Sequence, residues 1–364
     1  MVSAARRTRL ILTSGIITVI LAALTLAACS APSAAAHPHA TSSASRVASA
    51  RPAASPSSST APASSPSPSP SSAPVGADGS YRVGEEEMTF TEPAHNGPTG
   101  QGLDPRTLLT TIEYPLAPGS STQHPAAGPL PLLLFAPGFQ QCVGTYGDLL
   151  RTWASAGYVV AAVTFPNTNC QLGNGAHEQD LLNQPADMSY VLSSLLTLSA
   201  QPSGLLSGLL DGQEVAVAGQ SDGGDTVAAL VANTCCTDTR VKAAAVLSGA
   251  EWPPMPGQYF AHATVPMLFV QGSADTINPP SASVQLYTAD TMGTRYYLNL
   301  LGAGHLTPYA GANPVEAVVA RVTLDFFDRY LLGQTGAQVA MMRAGNIGGA
   351  ASLVSGGHIP RYAG

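Results

Sequence analysis

Short apolar runs alternate, from about residue 80 onward, with segments whose apolar positions recur every three or four residues. The runs are rich in Val, Leu and Ala and are bounded by Gly, Pro and polar residues, which is typical of strands. The intervening segments are mostly long enough for helices, so the pattern predicts an α/β fold: a mostly parallel, eight-stranded sheet with helices on both faces. The candidate strands are residues 86–91, 107–114, 131–136, 158–165, 214–219, 241–248, 265–271 and 294–301.

The connections refine this prediction. The first two candidate strands are joined by a Gly- and Pro-rich turn region, which predicts an antiparallel entry into the sheet. From residue 131 onward the connections predict helical crossovers. Thr145 is a candidate N-cap of one helix that stops at Gly157, a second helix begins near Pro185, and a third begins after Asn313. Their apolar stripes predict faces packed on the core.

The N-terminus has the composition of an export signal. Three arginines between residues 6 and 9 precede an apolar run over residues 10–28, which Cys29 follows. Leu26-Ala27-Ala28-Cys29 resembles the bacterial lipobox, which implies that residues 1–28 are cleaved and that Cys29 carries a lipid. The alternative is an uncleaved membrane anchor, because about 19 apolar residues can cross a bilayer.

The rest of the chain divides by composition. Residues 29–79 are almost entirely Ala, Ser, Pro and Thr and predict a disordered stalk, because they cannot bury enough apolar surface to offset chain entropy. Residues 80–335 form the predicted globular domain, and residues 336–364, rich in Gly and Ala, are expected to be a loosely packed tail. This organisation places the domain outside the cytoplasm, held on the outer face of the cell membrane as a lipoprotein.

The charge narrows the range of partners. The formal net charge is −7, and no basic patch is present to hold a phosphate backbone. Nucleic-acid binding is therefore disfavoured. We expect a monomer that touches the membrane only through its lipid.

The central motif is G-x-S-x-G around Ser221. An apolar strand runs directly into Gly219-Gln220-Ser221-Asp222-Gly223, and a helical pattern follows. In a tight strand–turn–helix elbow the glycines avoid steric collisions, and the serine hydroxyl is exposed above the sheet. Ser221 is therefore the candidate nucleophile.

A serine nucleophile needs a base and an orienting acid, which follow it in the chain order Ser, acid, His. His305 lies in a Gly-containing loop just after a strand, whereas His262 precedes a strand and His358 lies in the tail. His305 is therefore the candidate base. Asp275 directly follows a strand and is the favoured acid; its rivals are Glu251 and Asp290.

Ester cleavage also needs donors for the developing oxyanion. The backbone N–H of Asp222, next to the nucleophile, is one candidate. The second is the N–H of Phe139, in the loop after the strand at residues 131–136. The ring of Phe139 is expected to line the cleft. These parts require no metal and no organic cofactor.

Residues 85–335 resemble the α/β-hydrolase superfamily. The Pro137-Gly138-Phe139 loop and the Ser221 elbow are similar to those of chlorophyllase-like, dienelactone-hydrolase-like and cutinase or polyester-hydrolase-like esterases. Pro185-Ala186-Asp187 resembles a helix of platelet-activating-factor acetylhydrolase-like members. By resemblance to polyester hydrolases, Trp252 flanks the substrate. The sequence departs from these families in two ways. Asp222 replaces the apolar or aromatic residue that usually follows the nucleophile, which disfavours polyester substrates. No long lid insertion follows residue 250, which disfavours a lid-activated lipase.

On this fold, Cys142 and Cys170 lie at the edge of the sheet that carries the candidate site. A bridge between them would fix the loop after Phe139, and export favours oxidised cysteines. Cys235 and Cys236 end the helix after the elbow, where they form a vicinal pair or stay reduced.

The expected function is that of an exported serine carboxylic-ester hydrolase that acts on a small or lipid-like ester. Ser221 attacks the acyl carbon, His305 transfers the proton and Asp275 fixes the imidazole tautomer. The alternatives are an envelope acyltransferase that uses the same three residues and a non-catalytic binding protein of the same fold. The presence of Ser, Asp and His in the required chain order argues against a non-catalytic binding protein.

Overall fold

The computed structural model describes residues 81–120, 122–357 and 359. The predicted signal segment, Cys29, the stalk over residues 29–79 and the candidate His358 lie outside the described residues. Within the described part, no helix has the length and apolar character needed to span a membrane.

The described residues form an α/β domain, as the pattern predicts. The six helices of this part are α1 Gly147–Ser155, α2 Gln184–Ser199, α3 Asp222–Ala232, α4 Pro280–Ala289, α5 Pro314–Tyr330 and α6 Thr335–Ala344. The strands are β1 Val83–Glu92, β2 His95–Asn96, β3 Gly102–Leu103, β4 Arg106–Pro115, β5 Leu130–Ala136, β6 Val159–Thr164, β7 Leu210–Gln220, β8 Val241–Leu247, β9 Met267–Gly272, β10 Arg295–Leu300 and β11 Ala351–Ser355.

One large sheet organises the domain. Its strand order in the described part is β1-β4-β6-β5-β7-β8-β9-β10-β11, while β2 and β3 form a separate small ladder in the connection from β1 to β4. The strands from β6 to β10 pair in parallel. β1 pairs with β4, and β4 with β6, in antiparallel fashion, which confirms the predicted entry. Every candidate strand is present.

The sheet has a hydrophobic core on each face. All seven residues of β5 are buried, because helices cover both faces of a parallel sheet. Successive side chains on a strand point to opposite faces. Leu132 and Leu134 therefore join one core cluster, while Leu133 and Phe135 join the other. This packing fixes where the strands end, and the ends of the strands carry the site.

The expectation of a loosely packed C-terminal tail is wrong for the described residues. α6 packs with α5, and β11 adds an antiparallel ninth strand beside β10 in the described sheet. Met341 and Leu353 are buried in the core. The strand is only five residues long, with two buried side chains, so it has too few alternating positions for the sequence to reveal it.

Two smaller expectations also need correction. Thr145 is not an N-cap: it lies in a 3₁₀ turn, Val143–Tyr146, which brings Tyr146 to the position before α1. The β8–β9 connection contains no helix among its described residues, in contrast to the predicted crossovers. Asn313 does cap α5, since its side-chain oxygen accepts hydrogen bonds from the N–H groups of Val315 and Glu316.

Candidate active site

The turn from β7 to α3 is a sharp elbow. Ser221 has φ 56° and ψ −125°, a conformation that non-glycine residues rarely adopt. A Cβ on Gly219 would collide with the carbonyl oxygen of Gly223, and a Cβ on Gly223 would collide with that of Ala136. Because these two residues lack a Cβ, the backbone segments around the elbow can approach closely, and this close approach holds Ser221 at the end of the sheet.

Three side chains from separate strand ends form one hydrogen-bonded chain. Ser221 follows β7, Asp275 follows β9, and His305 lies in the loop after β10. His305 Nε2 is 2.9 Å from Ser221 Oγ, and His305 Nδ1 is 2.8 Å from Asp275 Oδ2. In neutral His305, Nδ1–H donates to the carboxylate and Nε2 accepts from the hydroxyl. The structure thus brings the three predicted residues together in the order that their chemistry requires.

Asp275 is held by further donors. Its Oδ1 accepts the backbone N–H of Ile277 at 2.9 Å and that of Asn278 at 3.0 Å. Its Oδ2 accepts from Gln271 Nε2 at 2.9 Å as well as from His305. The side chain is buried, so these bonds fix the rotation of the carboxylate and thereby the orientation of the His305 ring.

The rival residues lie elsewhere. Glu251 Oε2 is 3.5 Å from Gln285 Nε2, and Asp290 accepts from Thr264 Oγ1 at 2.7 Å. His262 is exposed in the segment before β9. Of the acids considered from sequence, Asp275 is the one in contact with His305.

The loop after β5 lies against the elbow. A Cβ on Gly138 would be 2.7 Å from Gln220 Oε1 and 3.1 Å from Ser221 Cβ. The N–H of Gly138 donates to Tyr146 Oη at 3.1 Å and is therefore engaged. Phe139, the next residue, is half-buried. Trp252, also half-buried, packs in the β8–β9 connection beside Met255.

Asp222 differs from the other polar groups of the elbow. It is buried, and its Oδ2 has no hydrogen-bond partner among the described residues. Burial, reinforced by repulsion from Glu178, raises the pKa of Asp222 to about 7. Asp225, one turn further along α3, accepts the N–H of Ala250, and burial raises its pKa well above the ordinary value.

The cysteines pair within the described domain. A disulfide joins Cys142 to Cys170 and ties the segment after Phe139 to the segment after β6, as expected. Cys235 and Cys236 form a vicinal disulfide, one of the two possibilities left open by the sequence. In the part of the chain that the structure describes, no group of three or more His, Cys, Asp or Glu side chains is arranged to hold a metal ion.

Sequence reasoning missed two buried polar residues of this site, Gln220 and Tyr146. Tyr146 Oη donates to Gln220 Oε1 at 2.8 Å, and Gln220 Nε2 lies 3.2 Å from both Nε2 and the carbonyl oxygen of His305. A signal was available: Gln220 is an amide at the end of an apolar strand, and a buried amide requires partners.

The fold and the elbow define an α/β hydrolase. A search of curated proteins finds no match. The PET hydrolase-like family model, however, matches residues 112–342, more than half of the chain. The chain belongs to this family, which implies a serine ester hydrolase.

Proposed function

We propose that this protein hydrolyses carboxylic esters through an acyl-enzyme on Ser221. The observation that carries the proposal is the continuous chain from Ser221 Oγ through His305 to Asp275, at the carboxyl ends of β7, β9 and β10. Membership of the PET hydrolase-like family supports the reaction class.

The geometry supports a two-stage reaction. In the first stage, Ser221 Oγ bonds to the acyl carbon while its proton passes to His305 Nε2. The bond from the acyl carbon to the alcohol oxygen then breaks, and His305 gives its proton to that oxygen. In the second stage, water loses a proton to His305, attacks the acyl carbon and releases the acid, and the proton returns to Ser221.

The oxyanion that forms in both stages needs two donors. We assign these to the backbone N–H groups of Asp222 and Phe139. The approach of the Gly138 segment to Ser221 supports the second assignment, as does the engagement of the Gly138 N–H with Tyr146. The rings of Phe139 and Trp252 are proposed to line the acyl side of the cleft.

The proposed substrates are esters of short acyl chains. The β8–β9 connection, residues 248–266, contains no helix in the described structure and so offers no helical lid. In an open cleft, methylenes beyond about four to six carbons stay in water and add nothing to transition-state binding. We expect kcat/KM to peak between acetyl and hexanoyl esters; a steady rise through dodecanoyl would contradict this.

The decisive experiment tests Ser221 directly. A fluorophosphonate probe is expected to label the wild type, and Ser221→Ala is expected to lose labelling and on the order of 10⁴-fold in turnover while staying folded. Ser203→Ala, at an exposed turn, is the matched control and should behave as the wild type. Undiminished labelling of Ser221→Ala would remove the proposed nucleophile.

We also propose that the chain is exported and anchored by a lipid on Cys29, as supported by the lipobox-like segment before it. Cys29→Ser should then abolish lipid attachment and cleavage of the leader, as read from membrane fractionation and mass. A fragment starting near residue 80 should be soluble and active. Equal membrane partition of wild type and Cys29→Ser would instead favour an uncleaved span.

A further inference from the structure

We propose that Gln220 is a positioning residue: its amide holds His305 in place and connects it, through Tyr146, to the loop that supplies the Phe139 N–H. The inference rests on the proposed function, because it concerns how His305 meets Ser221. It adds a residue outside the Ser–His–Asp chain on which turnover depends.

The direction of the hydrogen bonds determines which way the amide faces. The backbone N–H of Gly138 donates to Tyr146 Oη, so the phenol accepts at that side. Its own hydrogen is then free to be donated to Gln220, at 2.8 Å. The atom that receives it must be the amide oxygen, which leaves the NH₂ group of Gln220 toward His305.

At the other end, the amide contacts His305 twice. Gln220 Nε2 donates to the carbonyl oxygen of His305 at 3.2 Å and lies 3.2 Å from His305 Nε2. Ser221 Oγ approaches the same ring nitrogen at 2.9 Å. One amide therefore contacts both the backbone and the ring of His305, directly beside the hydroxyl from which the ring accepts a hydrogen bond.

The segment that carries His305 is also held at Gly302, whose N–H donates to Ser273 Oγ, and at Ala303, whose carbonyl oxygen accepts from Ala274. The contact is important because Gln220 bonds the carbonyl oxygen of His305 itself. The segment begins at Gly302, which has φ +71°, and includes Gly304, so its backbone is permissive. Gln220 and Tyr146 are only 1% and 0% exposed, so solvent cannot replace the hydrogen bonds that they make. The network ties His305 to Gln220 at the end of β7.

The consequence falls on the chemical step. When Ser221 transfers its proton to His305 Nε2, the amide keeps its bond to the carbonyl oxygen of His305 and so continues to hold the residue in place. Reacting groups lose about 100-fold in rate when they are misplaced by about 1 Å. Because Gln220 is buried and does not reach the cleft, its loss should lower kcat and leave KM nearly unchanged.

The test compares four variants with the wild type. Gln220→Met removes both amide contacts at similar volume, and Tyr146→Phe removes the hydroxyl that orients the amide. The double variant removes both the amide and the phenol hydroxyl, so that neither of these side-chain groups is left without its partner. It keeps the test usable if Gln220→Met folds poorly. Gln213→Met, at an exposed position of the same strand, is the matched control.

Two readouts are needed: kcat and KM for 4-nitrophenyl butyrate, and the rate of fluorophosphonate labelling at Ser221. We expect Gln220→Met to lose roughly 10- to 100-fold in kcat and in labelling rate, with KM within about twofold of the wild type. Tyr146→Phe should lose less. The double variant should lose no more than Gln220→Met, because both act on one chain of hydrogen bonds.

The outcomes separate the two proposals. If the wild type reacts and Gln220→Met, or the double variant, keeps the kcat and labelling rate of Gln213→Met, the positioning role is overturned and the proposed function stands. A rise in KM without loss of kcat would also overturn it, because Gln220 would then act on binding. If the wild type neither hydrolyses the ester nor labels at Ser221, the proposed function fails and this inference falls with it.

Discussion

Two aspartates that follow strands of the same sheet are buried in different ways. Asp275, after β9, accepts hydrogen bonds from two backbone N–H groups, from Gln271 and from His305. Asp222, after β7, has an Oδ2 with no partner among the described residues, and its pKa is raised to about 7. The first carboxyl group is surrounded by donors, whereas burial favours the protonated form of the second.

The difference shows what separates a functional acid from an acid that is merely near the nucleophile. A buried carboxyl group either receives hydrogen bonds or retains its proton, since an unpaired buried charge is costly. The donors around Asp275 also fix its direction toward His305, whereas Asp222 Oδ2 has no hydrogen-bond partner among the described residues. Proximity to Ser221 in sequence therefore does not make Asp222 the orienting acid.

The largest effect should come from Asp275→Asn. The N–H groups of Ile277 and Asn278 demand an oxygen at Oδ1, so the new NH₂ group is turned toward His305 and Gln271. It then donates to His305 Nδ1 and forces the tautomer whose Nε2 carries hydrogen and cannot accept from Ser221. We expect a loss of about 10³- to 10⁴-fold in kcat.

The matched control for this prediction is Glu251→Gln, the rival acid that contacts Gln285 instead. Its kcat and KM for a short-chain ester, measured by steady-state kinetics, should be close to those of the wild type. If Glu251→Gln loses activity and Asp275→Asn retains it, the acid has been assigned to the wrong strand.

The second prediction concerns stability, through Asp222→Asn. Between about pH 4 and pH 7 the folded state holds a proton on Asp222 that the unfolded chain, with a pKa of 3.8, has lost. The wild type therefore loses stability as pH rises through this window. Asparagine does not ionise, so the variant avoids this loss. The free energy of unfolding of Asp222→Asn, relative to that of the wild type, should therefore rise by up to about 4 kcal/mol from pH 4 to pH 8.

Urea unfolding at pH 4 and pH 8 measures this effect. Asp104→Asn, at an exposed aspartate between β3 and β4, is the matched control against which the change between the two pH values is read. An advantage of Asp222→Asn that is equal at both pH values would mean that Asp222 ionises in the folded protein as it does in the unfolded chain.

The sequence predicts the parts of the molecule whose signals are local. The elbow is readable because Gly219, Ser221 and Gly223 are required by a single turn, and the buried strands are readable from continuous apolar runs. The His305 and Asp275 assignments follow from chain order together with position after a strand.

Features that depend on tertiary contacts could not be predicted in the same way. β11 has only five residues and is a strand because β10 offers it an open edge. The partners of Gln220 come from residues 74 and 85 positions away, so the sequence shows a buried amide but not what it binds. The pKa of Asp222 likewise depends on burial and on Glu178, which lies on a different element.

The smallest effect should come from Gln271→Leu, which removes one donor from Asp275 while the N–H groups of Ile277 and Asn278 still face its Oδ1. The substitution also removes the bonds of Gln271 to the carbonyl oxygen of Asn278 and to Ser283 Oγ. The carboxylate then keeps its position and gains some freedom to rotate away from His305 Nδ1. We expect kcat to fall about tenfold with KM unchanged, because Gln271 contacts Asp275, which acts on the reaction through His305. Gln285→Leu, at an exposed position on α4, is the control and should keep wild-type kinetics. A kcat of Gln271→Leu equal to that of Gln285→Leu would show that the backbone donors alone orient Asp275, and the contrast with Asp222 would then rest on those two N–H groups.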